Sequence, residues 1–413
     1  MNGLSCAEMS RRSVLGAGAA LLGGVAGAGV ATRTAFAAPG YTGDTLVVLS
    51  LHGGFDGLSA VVPIGDANYY TARPAIAVPK SQVIAGDGTF GLHPALAPLL
   101  PFWQGGKLAA VHAVGQQNPT RSHFAAMEAM ENAAPGTSLR SGWLDRMLGQ
   151  TGATGPLAGV SVGAAMPSRL FAGPVPAVSM AGVTAFTLAG DSAKRPVAAA
   201  LRAMYADAPA AQAGPALAAD KALTATAALR GVPYTPAGGA VYPATELGAA
   251  LKDVARLIKA KVGLATAAVD CGDWDMHDAL GAAAKGQRMY DNLNELALAL
   301  AAFATDLGPE GMNSVTLLTI SEFGRRVAEN GSHGADHGHG NAMFLLGGGI
   351  RGGRVYTKWP TLAPGALLAG DLAATTDYRA VIGELLQKRC GLGALGEVFP
   401  SVSPSSFGLA AAR

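Results

Sequence analysis

The chain has 413 residues, a formal net charge of +2 at pH 7, and charged side chains at only 14% of its positions. This length is enough for one large α/β domain with a sizeable core. The small net charge and the scattered basic residues argue against a nucleic-acid surface, so no nucleic-acid partner is expected.

Residues 1–37 have the pattern of a twin-arginine export signal. Ser10-Arg11-Arg12 precedes an apolar, Gly/Ala-rich run at 14–31, and Ala35-Phe36-Ala37 offers small residues at cleavage spacing. A transmembrane anchor is the alternative, but Gly and Ala supply little transfer free energy. We therefore expect a periplasmic or secreted protein without a stable membrane anchor, and the twin-arginine translocase as its partner during export.

The cysteines allow one disulfide after export. Cys6 lies in the predicted signal, so only Cys271 and Cys390 could pair in an oxidising compartment. A chain of this size does not need the bond for stability.

Residues 38–413 are predicted to form a single α/β domain. Short apolar runs alternate with longer helical patterns, which indicates a mostly parallel sheet covered by helices on both faces. The predicted strands are 45–51, 108–114, 315–320 and 343–346. The predicted helices are 94–104, 122–131, 142–148, 246–260, 293–306 and 377–387.

A helical insertion is predicted at about 192–260. The composition becomes Ala-rich and weakly amphipathic there, and the turn-forming GVPYTPAGG interrupts it at 231–239. These features are typical of a cap beside a sheet and not of the sheet itself.

Polar clusters follow the apolar runs at 52–57, 118–123, 270–277 and 321–341. Six of the eight histidines lie in these four segments. Because ligands bind outside the carboxyl ends of the strands in an open parallel sheet, the clusters are the candidate site.

Two motifs favour a divalent metal ion, with zinc the first choice. Asp273, Asp275 and His277 are spaced so that carboxylates and imidazole can converge on one cation. Glycines around His337 and His339 leave the backbone free to aim both imidazoles. Helix caps and solvated loops are the alternative for either motif alone, but their combination favours metal.

Three further residues could complete the site. Glu322 follows a buried strand, where a carboxylate could bind metal, and Arg325 or Arg326 could face an anionic group. Ser122 could cap the helix that it begins, or act as a nucleophile at a helix N-terminus. Thr120 is the alternative nucleophile.

A serine carboxyl-ester hydrolase is a rival interpretation. Gly159-Val160-Ser161-Val162-Gly163 fits G-x-S-x-G, His52-Gly53-Gly54 is similar to an oxyanion-hole loop, and Asp275 and His337 follow in triad order. A nucleophile elbow leads from a buried strand into a long helix, whereas Pro167 should stop any helix here.

Taken together, the motifs resemble an exported bacterial family of unknown function in the alkaline-phosphatase/sulfatase-like superfamily. They are the twin-arginine leader, LSLHGGFDGLSAVVP, GLHPALAPL, PTRSHFAAMEAMENA, GWLDRML, GDWDMH, TISEFGRRVAENGSHGADHGHGN and GGRVY. The resemblance implies an α/β/α sandwich whose hydrolytic site holds one or two divalent cations and cleaves a phosphate or sulfate ester. It also implies site residues: the ligand pair Asp273 and His277 with His339 or His337, the carboxylate Asp56, the nucleophile Ser122, and Glu322.

Departures from that pattern leave a one-metal or degenerate site open. Phe323 stands where the superfamily has a histidine. The second cation therefore loses a ligand unless His337 or His123 replaces it. Asp56 lies several residues beyond the strand end, where His52 is closer. The sulfatase pattern Cys-x-Pro-x-Arg is absent. A non-catalytic cell-surface scaffold or binding protein is therefore a second alternative.

The sequence thus favours an exported metal-dependent hydrolase of small-molecule or polymer anionic esters. Asp273, His277 and His339 are expected to hold the cation, which polarises an ester oxygen. Ser122, or a water activated by the cation, is expected to attack, with Arg325 as a helper for the developing charge.

Overall fold

The computed structural model describes residues 41–118, 120–153, 155–163, 166, 168–402 and 405–413. The predicted export signal, residues 1–37, lies outside the described residues. None of the helices in the described part of the chain is long and apolar enough to cross a membrane. Cys271 and Cys390 are both free thiols, so the disulfide considered from the sequence does not form.

A nine-stranded sheet forms the middle layer of the described chain. The strands are β1 Thr45–Leu51, β2 Val61–Val62, β3 Gly91–Leu92, β4 Leu108–Gly115, β5 Gly159–Val162, β6 Val178–Met180, β7 Thr266–Cys271, β8 Val315–Ile320, β9 Asn341–Gly347, β10 Val355–Tyr356 and β11 Thr376–Asp377. The order in the large sheet is β10-β4-β9-β8-β1-β7-β5-β6, with β11 also pairing with β4. In this large sheet only β9 runs antiparallel to its neighbours, and β2 and β3 form a separate antiparallel pair.

Helices cover both faces of the sheet. They are α1 Gly57–Ala60, α2 Ala67–Ala72, α3 Leu100–Gln104, α4 His123–Asn132, α5 Trp143–Thr151, α6 Val197–Tyr205, α7 Ala210–Arg230, α8 Glu246–Lys259, α9 Arg288–Met312 and α10 Tyr378–Arg389. Successive side chains of a strand point to opposite faces, so Val47 and Leu49 join the core beneath α8 and α9. Leu46 and Val48 join the core beneath α5 and α10. The prediction of a mostly parallel sheet between two helical layers is confirmed.

Two predicted helices differ from the observed ones, the first of them because of proline. Residues 94–104 form a 3-10 helix at Pro94–Leu99 and then the short α3, since prolines in this segment lack the N–H that an α-helix needs. The helix predicted at 293–306 extends over all of α9, with a kink at Gly308 before Pro309.

The helical insertion is shorter than predicted. Helices α6 and α7 pack on each other, but α8 buries Leu247, Leu251 and Val254 and contacts β5 and β7. Because α8 has one continuous apolar face, it belongs to the helical layer of the sandwich. The insertion therefore ends before Glu246.

Both ends of the described chain meet at Asp44, directly before β1. The Asp44 carboxylate is fully buried and accepts hydrogen bonds from Arg389 of α10 at 2.9 and 3.0 Å. It also pairs with the guanidinium of Arg413. Leu409 and Ala410 are buried in the same region, so the C-terminal residues are part of the packed structure.

Candidate metal centre

Four chain segments meet at the edge of the sheet where β1, β7 and β8 end. Residues 52–57 follow β1, residues 272–277 follow β7, and residues 321–325 follow β8. Since β9 is antiparallel, the residues that precede it, 336–340, lie at the same edge. Helix α4 begins beyond the end of β4, which is parallel to β8. The topology therefore collects the polar clusters in one place.

Two glycines allow these segments to approach one another. A Cβ on Gly53, whose φ is +115°, would lie 2.5 Å from the backbone nitrogen of Asp275. A Cβ on Gly338 would lie 2.4 Å from the carbonyl carbon of Arg325. Both distances are shorter than any real contact, so only glycine fits at these positions.

A group of imidazoles and one carboxylate converge at this edge. His123, Asp275 and His337 each offer one ligand atom, and these atoms lie within 4.8 Å of one another. The Nε2 of His337 is 3.0 Å from the Nε2 of His123, 2.9 Å from the Nε2 of His277 and 3.2 Å from Asp275 Oδ1. His277 Nε2 is also 2.9 Å from Asp275 Oδ1. The four side chains could hold one cation with nitrogen and oxygen ligands.

Each of the three imidazoles is oriented through its other nitrogen. His123 Nδ1 lies 2.7 Å from Glu322 Oε1, and His277 Nδ1 lies 2.9 Å from Asp336 Oδ1. His337 Nδ1 lies 2.8 Å from the carbonyl oxygen of Arg121. Because these partners are oxygen acceptors, Nδ1 donates in every case, and the neutral imidazole then carries a lone pair on Nε2. Such outer partners fix the tautomer and ring direction of metal-binding histidines.

The carboxylates of the group stay ionised at neutral pH. Burial raises the pKa of Asp275, but the hydrogen bond and charge of Arg325 outweigh it and lower the pKa to about 2. Burial also opposes ionisation of Glu322, and the hydrogen bond from His123 lowers its pKa nonetheless. The pKa of Asp336 is lowered by hydrogen bonds from His277 and Asn330. The negative charge needed around a cation is therefore present.

Arg325 is buried behind Asp275, and its N–H donors are not available to bind an anion. Its side chain is fully buried, and it donates to the carbonyl oxygens of Gly54 at 2.7 Å and Ala335 at 2.8 Å. It also bonds to the carbonyls of Gly53 and Trp274 and, at 2.6 Å, to Asp275 Oδ1. With its donors used inside the protein, the predicted catalytic role of Arg325 is wrong, and its role is to position Asp275.

Asp56 and Asp273 lie outside the centre. Asp56 is buried and forms a bidentate ion pair with Arg73. The Arg73 Nη1 and Nη2 atoms lie 2.6 and 3.0 Å from its two carboxylate oxygens, so these oxygens are not available to a cation. The side chain of Asp273 is 73% exposed and contacts Arg288 at 3.2 Å. Asp275, two residues later, faces the histidines instead. Neither residue faces the histidines, so the prediction that Asp56 and Asp273 are metal ligands is wrong.

His339 and Glu322 are also placed differently from the prediction. His339 is buried, and its Nε2 is 2.7 Å from the carbonyl oxygen of Gln116, away from the other histidines. Glu322 accepts hydrogen bonds from the Gly53 N–H, the Ser321 hydroxyl and His123. Its oxygens are thereby occupied, so Glu322 orients a ligand and is not one itself.

The candidate nucleophiles differ in their surroundings. Ser122 is the exposed N-cap of α4, directly before His123, and its side chain makes no capping hydrogen bond. The Thr120 hydroxyl accepts a bond from the Ser122 N–H at 3.3 Å. Ser161 lies inside β5, is only 1% exposed, and accepts a bond from the Ser168 N–H. A buried hydroxyl in mid-strand contradicts the nucleophile-elbow interpretation.

Sequence reasoning did not identify His123 as a main ligand, and it did not identify the two residues that orient His277. The sequence motifs indicate His123 only as a replacement ligand, although it begins the helix beyond a strand end, which is the position that could identify it. Asp336 and Asn330 hydrogen-bond to each other at 3.0 Å and hold His277 through its side chain and backbone. Their partnership depends on a loop conformation that sequence spacing does not determine.

Phe323 closes one side of the centre. Its ring lies 4.9 Å from the ring of His123 and 4.8 Å from the ring of His337, measured between centroids. An apolar ring in this position leaves no ligand atom for a second cation on that side. The described residues thus provide one compact ligand group.

Several solved structures are similar over most of the chain at very low identity. The lipoteichoic acid synthase LtaP from Listeria monocytogenes is 8% identical, with 85% of this chain and 78% of that chain covered and a TM-score of 0.34. The C-terminal periplasmic domain of EcEptC from Escherichia coli, in complex with Zn, is 11% identical, with 90% of each chain covered and a TM-score of 0.38. Ps i-CgsB in complex with k-i-k-neocarrahexaose is 9% identical, with 85% and 73% covered and a TM-score of 0.36. The fold assignment rests on the strand order and register given above.

No curated protein matches this chain. A family described as "Protein of unknown function (DUF1501)" matches residues 108–384, which is more than half of the chain and includes every histidine and carboxylate of the centre. The chain belongs to the DUF1501 family.

Proposed function

We propose that this protein is a metal-dependent hydrolase of phosphate or sulfate esters, with one divalent cation, zinc, as its cofactor. The cation is held by His123, Asp275 and His337, and His277 adjoins it. When bound, the cation polarises the ester oxygen and stabilises the negative charge that develops during cleavage. The ester class follows from the family resemblance of the sequence motifs.

The observation that carries the proposal is the convergence of three Nε2 atoms on the Asp275 carboxylate, those of His277 and His337 on Oδ1 and that of His123 on Oδ2. With every Nδ1 donating to an oxygen acceptor, the neutral rings direct lone pairs at one another at 2.9 and 3.0 Å. Lone pairs at this separation repel unless a proton or a cation lies between them. A tetrahedral metal with bonds of about 2 Å matches such a nitrogen and oxygen set.

Ser122 is the candidate nucleophile. It is exposed, it immediately precedes a ligand, and it stands at the N-terminus of α4, where the backbone N–H groups favour a bound anion. Attack by its hydroxyl on phosphorus or sulfur would break the ester bond and release the alcohol, which takes up the hydroxyl proton, and water would then hydrolyse the serine ester to free phosphate or sulfate. Thr120 and a water activated at the centre are the alternative nucleophiles. Loss of turnover in a Ser122→Ala variant would identify Ser122, and turnover that persists would point to one of the alternatives.

We further propose that the protein works outside the cytoplasm after twin-arginine export. The support is the Ser10-Arg11-Arg12 pattern, the Gly/Ala-rich run and the Ala-x-Ala site in the sequence. Replacing Arg11 and Arg12 by lysine should retain the precursor in the cytoplasm, as fractionation would show.

Metal titration tests the centre directly. After treatment with a chelator, the protein should take up about one equivalent of zinc. His337→Ala and Asp275→Asn should lose stoichiometric binding, and Glu322→Gln should weaken it by about 10–100-fold because His123 loses its orienting partner. His333→Ala is the matched control, since this exposed histidine lies in the same segment but outside the centre.

Turnover separates the functional alternatives. Zinc binding with hydrolysis of nitrophenyl phosphate or sulfate, both lost in Asp275→Asn, would support the hydrolase. Zinc binding without turnover would support a non-catalytic binding protein. The observation that favours this alternative is Phe323, whose ring leaves no ligand atom for the second cation of a two-metal enzyme. A protein that binds no zinc and keeps its fold would contradict the proposal.

A further inference from the structure

Arg121 and Arg326 share a single buried carboxylate beside the centre. Arg121 Nη2 and Nε lie 2.6 and 3.2 Å from Asp371 Oδ2, and Arg326 Nε lies 3.4 Å from Asp371 Oδ1. Both guanidiniums also reach the carbonyl oxygen of Ala369, at 3.4 and 2.9 Å. The two cations are thus held side by side by one acidic residue.

This arrangement leaves positive charge and free donors at the surface. Two guanidiniums face one carboxylate, so one positive charge is uncompensated within the group. The arginine side chains are 44% and 39% exposed, whereas that of Asp371 is only 5% exposed. The Nη1 groups of both arginines make no hydrogen bond to the described residues. Planar N–H donors of this kind match the oxygens of phosphate, sulfate and carboxylate.

The backbone of each arginine is tied to the ligand loop. The Arg121 carbonyl accepts the hydrogen bond from His337 Nδ1 at 2.8 Å, and the Arg326 N–H donates to the Asp336 carbonyl at 2.9 Å. One arginine therefore precedes α4 with its ligand His123, and the other follows Arg325, which holds Asp275. Both arginines are therefore attached through their backbones to the segments that hold the proposed reaction centre.

We propose that Arg121 and Arg326, held by Asp371, form a second anion subsite, so that the substrate carries a further anionic group beside the ester that is cleaved. This inference rests on the proposed function. Asp371 keeps both side chains in place before the ligand arrives, which reduces the entropy lost on binding. The subsite selects esters of polyanionic molecules over esters of neutral alcohols.

Binding of simple sulfonates tests the subsite without turnover. The probes are benzenesulfonate, which has one anionic group, and benzenedisulfonate and naphthalenedisulfonate, which have two at different separations. Calorimetry on the zinc-loaded full chain should show tighter binding of at least one disulfonate. Arg121→Gln/Arg326→Gln should weaken that binding by about tenfold or more, through loss of charge-assisted hydrogen bonds, and change benzenesulfonate binding little.

Two further variants make the result specific. Arg202→Gln is the matched control, because Arg202 is an exposed arginine paired with Asp220 in the helical insertion. Arg121→Lys/Arg326→Lys keeps the charge without the planar fork, and we expect intermediate affinity from it even where the glutamine variant unfolds. A disulfonate preference that survives unchanged in a folded double variant would overturn the subsite.

Chelator-treated protein distinguishes the two proposals. If the centre binds no zinc but disulfonate binding still depends on both arginines, the subsite stands and the hydrolase fails. If zinc binds and esters turn over, but benzenesulfonate and disulfonates bind equally well, the hydrolase stands and the subsite fails.

Discussion

Asp56 and Arg73 form an ion pair with almost no solvent contact beneath the loop that follows β1. The pair is closed by two hydrogen bonds, and Arg73 also donates to the carbonyl oxygen of Val327 at 2.9 Å. Removing one partner leaves a buried charge uncompensated. We expect Arg73→Met to lower the free energy of unfolding by about 3–5 kcal/mol, measured by urea denaturation.

The same pair gives a pH dependence of known sign. Burial raises the pKa of Asp56, but Arg73 outweighs burial and lowers it below the ordinary value of 3.8. The stabilisation is therefore fully present above pH 3.8 and is lost as the pH falls through the lowered pKa. Asp56→Asn should reduce this acid dependence and leave zinc uptake intact. If a folded Asp56→Asn protein no longer bound zinc, that result would show that Asp56 is a zinc ligand.

At the scale of elements, the loop after β1 has to pass against the loop after β7. Gly53→Ala would place a methyl group 2.5 Å from the Asp275 backbone nitrogen, so the loops must separate and Asp275 must move. We expect zinc affinity to fall by at least about tenfold, as for loss of an orienting contact. Gly106→Ala is the control, because Gly106 also has a positive φ but open space around it. Equal zinc affinities in both variants would contradict this account.

The sequence predicts elements well where one physical signal dominates. The strands at 45–51 and 315–320 have the predicted bounds because every residue but the first of β1 is buried, which produces uninterrupted apolar runs. The edge of the sheet that carries the polar clusters follows from the same reasoning. The helix predicted at 94–104 was partly wrong because proline effects compete with apolar periodicity.

The choice of residues within each cluster was harder to predict. Asp273 and Asp275 are equivalent in a spacing argument, but Asp273 adopts a positive φ of 67° and turns towards solvent, whereas Arg325 holds Asp275 inward. His337 and His339, two positions apart, would share one face of an extended segment, but the chain bends at His339 and its imidazole contacts the Gln116 carbonyl instead. Such choices depend on contacts between segments far apart in the chain.

At the scale of the whole molecule, the family match begins at residue 108 and omits β1. That strand pairs with β7 and β8 along its length and lies in the centre of the sheet. A fragment that begins at residue 108 would expose the edges of both neighbours, which is a template for aggregation. We expect it to be insoluble or to lack a cooperative thermal transition, whereas a chain that begins at residue 41 should unfold cooperatively. Cooperative unfolding of the shorter fragment would show that β1 is dispensable.

The contact of Arg413 with Asp44 fixes the direction in which the molecule can be attached to a support. Asp44 precedes β1, so the last residue of the chain is held at the amino ends of the parallel strands, opposite the edge that carries the histidines. A sensor surface or bead coupled through residue 413 would therefore present the ligand loops outward, accessible to large polymers in the surrounding solution.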